Sequence, residues 1–245
     1  MSPASAALDT PPETVRADPR LIVPLDLPTR ADAEAMVERL GESVSFYKIG
    51  LQLLATGGMD MAKDLKRRGR QVFLDWKLHD IGATVEKATA AITATGACDF
   101  LTVHAEPQVL AAAVRGRAGS VGVKILGVTV LTSLNEDDVK AIGYGLTISE
   151  LVERRIRQVL ESGADGVVAS PHEAAMARRI GGPKFLVVTP GVRPTWARAD
   201  DQARAATPEA ALSAGASHLV CGRPITAAND PRAAAETIAR DIAGV

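Results

Sequence analysis

The chain has 245 residues, 47% of them hydrophobic and 23% charged, enough for a sizeable core in one large domain or two small ones. Lys and Arg number 28 against 29 Asp and Glu, so the net charge of −1 argues against a chain-wide basic field for nucleic acid or an anionic membrane. Aromatics make up 3% and cysteines are two, Cys98 and Cys221, too few for a base-stacking platform, a disulfide framework or a Cys-rich zinc site.

The first 20 residues are rich in Ala, Ser and Pro and carry Asp9, Glu13 and Asp18, without a basic segment followed by an apolar one. They read as a flexible leader over 1–20 of a cytoplasmic protein, ahead of a single domain over 21–245. The longest apolar runs, such as 125–131, fall far short of the ~20 residues that span a bilayer. Eight β-rich runs follow, at 21–26, 46–50, 72–77, 100–105, 125–130, 166–170, 185–190 and 218–223. Most are continuously apolar, as expected of parallel strands buried on both faces.

The intervals read as helices. Thr29 is placed to cap a helix over 30–40 that stops at Gly41, and Met61, Leu65 and the Gly69 stop mark a second. A helix over 148–160 puts Leu151, Val152, Ile156, Val159 and Leu160 on one side and Glu153, Arg154 and Arg157 on the other. Thr207-Pro208 and Asp230-Pro231 each pair a cap with proline at the first helical position, and Gly215 closes the first of these helices. Strict strand–helix alternation predicts a single (β/α)8 TIM barrel. A doubly wound sheet is the alternative, although no G-x-G-x-x-G follows the first strand. One long polar loop, 193–206, carries Arg193, Trp196, Arg198, Asp200, Asp201, Gln202 and Arg204 and reads as a lid or binding loop.

Charges inside barrel strands are costly unless paired, yet Asp26, Lys48, Asp75, Lys77, His104 and Arg223 fall at strand ends. In such barrels these ends form the active-site face. Asp75 and Lys77 alternate onto one side of the third strand, beside Lys48, with Asp80 just beyond. The array would keep Lys77 protonated and set Asp75 where it repels a substrate anion; a structural ion-pair network is the other reading. Gly191 and Arg193 after strand seven, and Gly222 and Arg223 after strand eight, suit a phosphate site of backbone N–H groups and guanidinium donors. Thr132 and Ser133 could bond a polar ring or cap a helix. His79, His172 and His218 read as structural, and His104 as structural or catalytic. No set of residues has metal-ligand spacing, and no Ser or Cys nucleophile sits in a motif.

The segments Val23-Pro24-Leu25-Asp26, Tyr47-Lys48-Ile49-Gly50, Asp75-Trp76-Lys77-Leu78-His79-Asp80-Ile81, Val128-Thr129-Val130-Leu131-Thr132-Ser133, Val188-Thr189-Pro190-Gly191-Val192-Arg193-Pro194 and Gly222-Arg223-Pro224-Ile225 occur in order. Together they resemble orotidine 5′-phosphate decarboxylases of the bacterial type, from about residue 21 to 239. The resemblance implies a homodimer that converts orotidine 5′-monophosphate to UMP and CO2 in de novo pyrimidine synthesis, with no cofactor and no metal. It implies that Asp26 contacts the ribose, that Lys48 joins the array and the ribose hydroxyls, that Asp75 faces the substrate carboxylate, and that Lys77 protonates C6. Asp80 and Thr84 match positions that reach the neighbouring subunit's site. Thr132 matches a substrate-binding position, with Ser133 as a second contact. Arg193, Gln202, Gly222 and Arg223 match phosphate and lid positions. One departure is Gly82-Ala83, where the family often has Pro-Asn; it alters the turn but keeps the spacing from Asp80 to Thr84.

Two rivals remain. A magnesium-dependent 3-keto-gulonate-6-phosphate decarboxylase or hexulose-phosphate synthase would want a metal-binding carboxylate near strand two, where Lys48 stands. A non-catalytic nucleotide-binding barrel would need decayed charge positions, and every one is filled.

Overall fold

The computed structural model describes residues 16–120, 122–197 and 206–245. Eight strands form a closed parallel barrel in sequence order: β1 (Leu21–Pro24), β2 (Phe46–Gly50), β3 (Gln71–Leu78), β4 (Phe100–His104), β5 (Lys124–Val128), β6 (Gly166–Val168), β7 (Leu186–Pro190) and β8 (His218–Val220). β1 pairs with β2 on one side and β8 on the other, so no edge is left open. The helices alternate with them: α1 (Arg30–Leu40), α2 (Leu51–Leu54), α3 (Gly58–Arg67), α4 (Gly82–Ala94), α5 (Pro107–Gly116), α6 (Glu136–Ala141), α7 (Ile148–Ser162), α8 (Ala174–Gly181), α9 (Pro208–Ser213), α10 (Arg223–Thr226) and α11 (Pro231–Ala243). The (β/α)8 barrel is thus the observed architecture, with α2, α6 and α10 as short additions on the mouth side.

Helix starts follow the expected chemistry. Thr29 accepts from the Asp32 N–H while Asp32 bonds back to the Thr29 N–H, a reciprocal cap. Thr207 and Asp230 accept from Ala210 and Ala233 N–H groups, each with proline next in the chain.

Alternation along each strand divides the core in two. Inward-facing Ile22, Phe46, Phe73, Phe100, Leu126, Val188 and Val220 fill the barrel. Phe46 and Phe73 meet Phe100 edge-on, with ring centres 5.0 and 6.0 Å away. Outward-facing residues such as Val23, Tyr47, Leu74 and Leu101 pack under the helices. With both faces covered, the strands carry apolar residues without a break.

The base of the barrel is closed by carboxylates that bind strand-start N–H groups. Asp99 accepts from the Val72 N–H at 2.7 Å and pairs with Lys66. Asp165 accepts from the Ile125 N–H at 2.9 Å and pairs with Arg117. Asp18 and Arg20 pair with each other, and Arg20 also donates to the carbonyls of Ile242 and Val245 at the end of the last helix. Among the described residues no helix is long and apolar enough to cross a membrane.

Three expectations are corrected. Several strands end before their apolar runs do: β1 stops at Pro24, β6 at Val168 and β8 at Val220, because the chain bends away from the ladder to build the mouth. Arg223 is therefore the first residue of α10, not the end of a strand. On α7, Leu160 is 37% exposed and Arg155 takes a buried place instead, since positions 151, 155 and 159 share one face.

Candidate active site

The C-terminal strand ends bring Asp26, Lys48, Asp75 and Lys77 into one chain of ion pairs. Lys48 Nζ lies 3.1 Å from both oxygens of Asp26 and 3.4 Å from Asp75 Oδ2. Asp75 Oδ2 also lies 2.8 Å from Lys77 Nζ. Lys48 is buried and Asp75 nearly so, while Asp26 and Lys77 reach toward the opening. Burial alone would push the Asp75 carboxyl up. Lys48 and Lys77, with bonds from Lys77 and Thr102, outweigh burial and hold it below its ordinary value.

Simple alternation does not produce this geometry. Three residues of β3, between Leu74 and Leu78, stand opposite the single residue of β4 between Leu101 and Val103. The excess forms a bulge, and Lys77 sits at φ 47°, the one non-glycine residue with positive φ among the described residues. Such strain costs about 1–3 kcal/mol and persists where the surroundings hold it. Thr102 does so here: its hydroxyl accepts from the Lys77 N–H at 3.0 Å and donates to Asp75 Oδ1 at 2.9 Å. Gly50 leaves room for the pair as it stands: a Cβ there would lie 2.5 Å from Asp26 Oδ1 and 3.0 Å from Lys48 Nζ, so one of these side-chain ends would have to move. Neither Thr102 nor Gly50 was singled out from sequence, although their inward parity with Phe100 and Lys48 was readable.

The array faces a cavity of about 440 Å³. Its opposite side is built from Gly191, Arg193, Gly222 and Arg223, and Thr132 lies on its rim. Gly191 turns at φ 76°, and the next residues are held by the Val192–Ala206 bridge, with the Arg193 N–H donating to the Ala206 carbonyl at 2.9 Å. Arg193 lines the cavity, and among the described residues its buried Nε has no hydrogen-bond partner. Gly222 packs on Pro24, where a Cβ would meet the ring at 3.0 Å.

Other expected residues lie elsewhere. Asp80 and Thr84 are exposed at the start of α4, outside this cavity, beside an Ile81 that is 71% exposed. Ser133 is exposed and does not line the cavity, and Asn135, rather than Thr132 or Ser133, caps α6. Gln202, with Arg198, Asp200, Asp201 and Arg204 of the long loop, lies outside the described residues. His104 and His79 stack with ring centres 4.8 Å apart just outside the array. Burial keeps the His104 imidazolium disfavoured, against the pull of Glu106. His218 is partly buried at the barrel base, and His172 lies in a 3₁₀ turn over Pro171–Glu173. No group of three or more His, Cys, Asp or Glu that could hold a metal ion occurs among the described residues.

The profile of the Orotidine 5'-phosphate decarboxylase / HUMPS family matches residues 19–238. A Caulobacter vibrioides protein named orotidine 5'-phosphate decarboxylase is 65% identical over 233 residues, covering 94% of this chain and 99% of its own. One of the same name from Methylobacterium radiotolerans is 54% identical over 229 residues, covering 93% and 98%. Among solved structures, the orotidine 5'-phosphate decarboxylase of Lactobacillus acidophilus superposes with a TM-score of 0.81 at 36% identity, covering 92% of this chain and 99% of that one.

Proposed function

The chain belongs to the Orotidine 5'-phosphate decarboxylase / HUMPS family, and on that premise we propose that it decarboxylates orotidine 5′-monophosphate to UMP without a cofactor. One observation carries the reading: the paired Asp26, Lys48, Asp75 and Lys77 share a cavity with Arg193, Gly222 and Arg223. One side suits the orotate carboxylate and ribose, the other the 5′-phosphate.

The chemistry follows from the charges. Breaking the C6–carboxylate bond releases CO2 and leaves an electron pair on C6, a vinyl carbanion with little delocalisation. The site must bind that carbanion better than the ground state. Lys77 supplies a fixed positive field and then the proton that forms the C6–H bond. Lys77 is regenerated from solvent. Asp75, kept ionised by its two ammonium neighbours, faces the substrate carboxylate and is relieved as CO2 departs. Asp26 and Lys48 hold the ribose hydroxyls, and Thr132 reaches the pyrimidine. Arg193, Gln202, Gly222 and Arg223 hold the phosphate, and closure of the 193–206 loop ties phosphate binding to catalysis at the far end of the nucleotide.

Asp80 and Thr84 act in a neighbouring subunit's cavity in this reading. Their exposure beside Ile81 at the barrel mouth supports a homodimer. The enzyme is read as cytoplasmic, in keeping with two buried, unpaired cysteines.

The test is the loss of orotidylate absorbance on adding pure protein, with and without EDTA, repeated with Lys77→Ala. Turnover insensitive to EDTA and nearly abolished in Lys77→Ala is expected, with unchanged circular dichroism. Near wild-type turnover by the variant refutes the role of Lys77. Activity only on a sugar phosphate, lost in EDTA, would favour the magnesium-dependent branch of the family.

A further inference from the structure

We propose that Arg155, which does not line the cavity, is a positioning residue that fixes the 130–132 wall against which the pyrimidine lies, with Glu106 and Tyr144 as its partners. The inference rests on the orotidylate reading, since it concerns where the base of that nucleotide sits.

Arg155 lies on the buried face of α7 at 7% exposure, between apolar neighbours that pack on the barrel. A buried guanidinium is costly unless its donors are satisfied. Here they are shared among four acceptors on three segments. One nitrogen donates to the Thr129 carbonyl at 2.9 Å and the Val128 carbonyl at 3.4 Å. The other donates to Glu106 Oε1 at 2.8 Å and the Tyr144 hydroxyl at 2.7 Å. The guanidinium also stands 5.5 Å from the centre of the Tyr144 ring. A planar fork can hold this many acceptors at once; an ammonium cannot.

The two backbone carbonyls mark the place where β5 leaves the sheet. Its pairing with β6 ends at Val128 opposite Val168, and the next residues, 130–132, line the substrate cavity. Between that wall and the clamp lies a second cavity of about 190 Å³, lined by Val130, Leu131 and Leu134 on one side and by Glu106, Tyr144 and Arg155 of the clamp. Packing from behind is therefore incomplete, and the wall depends on the polar clamp at its root. Glu106 extends the clamp toward the array: its Oε2 is buried without a hydrogen bond and lies 3.8 Å from Nε2 of His79, two residues beyond Lys77.

A positioning role separates base from phosphate, which general destabilisation does not. Calorimetry with UMP and with ribose 5-phosphate, which lacks the base, reads the difference directly. Arg155→Met is expected to weaken UMP about tenfold or more and leave ribose 5-phosphate within about twofold. Arg155→Lys, which restores the charge without the fork, is expected to fall between, and Tyr144→Phe to shift UMP less in the same direction. If Arg155→Met does not fold, these two variants carry the test. Parallel weakening of both ligands, or unchanged UMP binding in every folded variant, overturns the proposal. Wild-type protein that binds UMP but releases no CO2 from orotidylate would overturn the function reading while leaving this comparison readable.

Discussion

His218 should make this barrel lose stability in mildly acidic solution. It opens β8 at the base, with its ring 5.1 Å from Phe100 and 5.9 Å from Phe46, and Nδ1 3.0 Å from Ser217 Oγ. Burial drives its pKa from 6.5 down to about 4; Asp18 opposes the shift and Arg20 adds to it. The unfolded chain therefore binds a proton that the folded chain refuses between these values. Stability from the neutral ring is fully present above the unfolded pKa and is lost as pH falls toward the folded one. Between pH 7 and about pH 4.5 the loss works out at about 2 kcal/mol for this one residue. His104 shifts in the same direction. Asp18 and Asp75, held below the ordinary 3.8, lose their contribution only at lower pH, so they do not blur the window. The perturbation is His218→Phe, which keeps an aromatic ring among Phe46 and Phe100 and cannot take up a proton. Urea unfolding at both pH values measures the difference, with the m-value as a check on two-state behaviour. The variant should lose about 2 kcal/mol less than the wild type on acidification. An equal loss in both proteins would refute the claim that a partly buried, neutral His218 makes the barrel lose stability in acid.

Two further predictions separate the ends of the barrel. Gly50→Ala drives a methyl group into the Asp26–Lys48 pair and should cut kcat/KM for orotidylate by roughly tenfold or more with little change in circular dichroism; unchanged kinetics would show that the pair tolerates displacement. Asp99→Ala removes the acceptor for the Val72 N–H and the partner of Lys66, and should cost about 2–3 kcal/mol in urea unfolding while kcat stays near wild type. A matching loss of kcat would mean that the base and mouth are coupled.

The fold was readable because local and global signals agree. Continuous apolar runs marked strands buried on both faces, and Thr29, Thr207 and Asp230 announced helix starts that the structure reproduces. Strand ends were less readable, since Leu25 and Cys221, one residue past β1 and β8, stay buried and each donates its N–H to a carbonyl of the neighbouring strand. Arg155 falls four residues from both Leu151 and Val159, so spacing puts it inward, and its four acceptors explain how a charge is held there. The charged array was visible in the spacing, which puts Asp75 and Lys77 on one side of the third strand beside Lys48. The bulge that aims Lys77 was not, because it depends on the register between β3 and β4. Asp80 was singled out by its spacing from Asp75 and Lys77, and Thr84 through family resemblance; the geometry of one chain leaves both at the surface.

The two ends of the barrel handle charge differently, and the difference bears on function. At the base, Asp99 and Asp165 each bind a strand N–H and have cations at hand, and Asp18 is held by Arg20, so their demand is met within the fold. At the mouth, Asp75 is divided between two ammonium groups, Lys48 between two carboxylates, and Lys77 occupies a strained backbone position. The described residues lining the cavity include four cations, Lys48, Lys77, Arg193 and Arg223, against two carboxylates, Asp26 and Asp75. A chain with a net charge of −1 thus concentrates positive charge in its one barrel mouth. Such an excess favours a ligand carrying a phosphate and a carboxylate, and it explains how Asp75 can be tolerated there. In the proposed reaction the phosphate side supplies net attraction, while Asp75 opposes the one anionic group that would be removed. Binding energy gathered at one end of the cavity can then be spent against repulsion at the other.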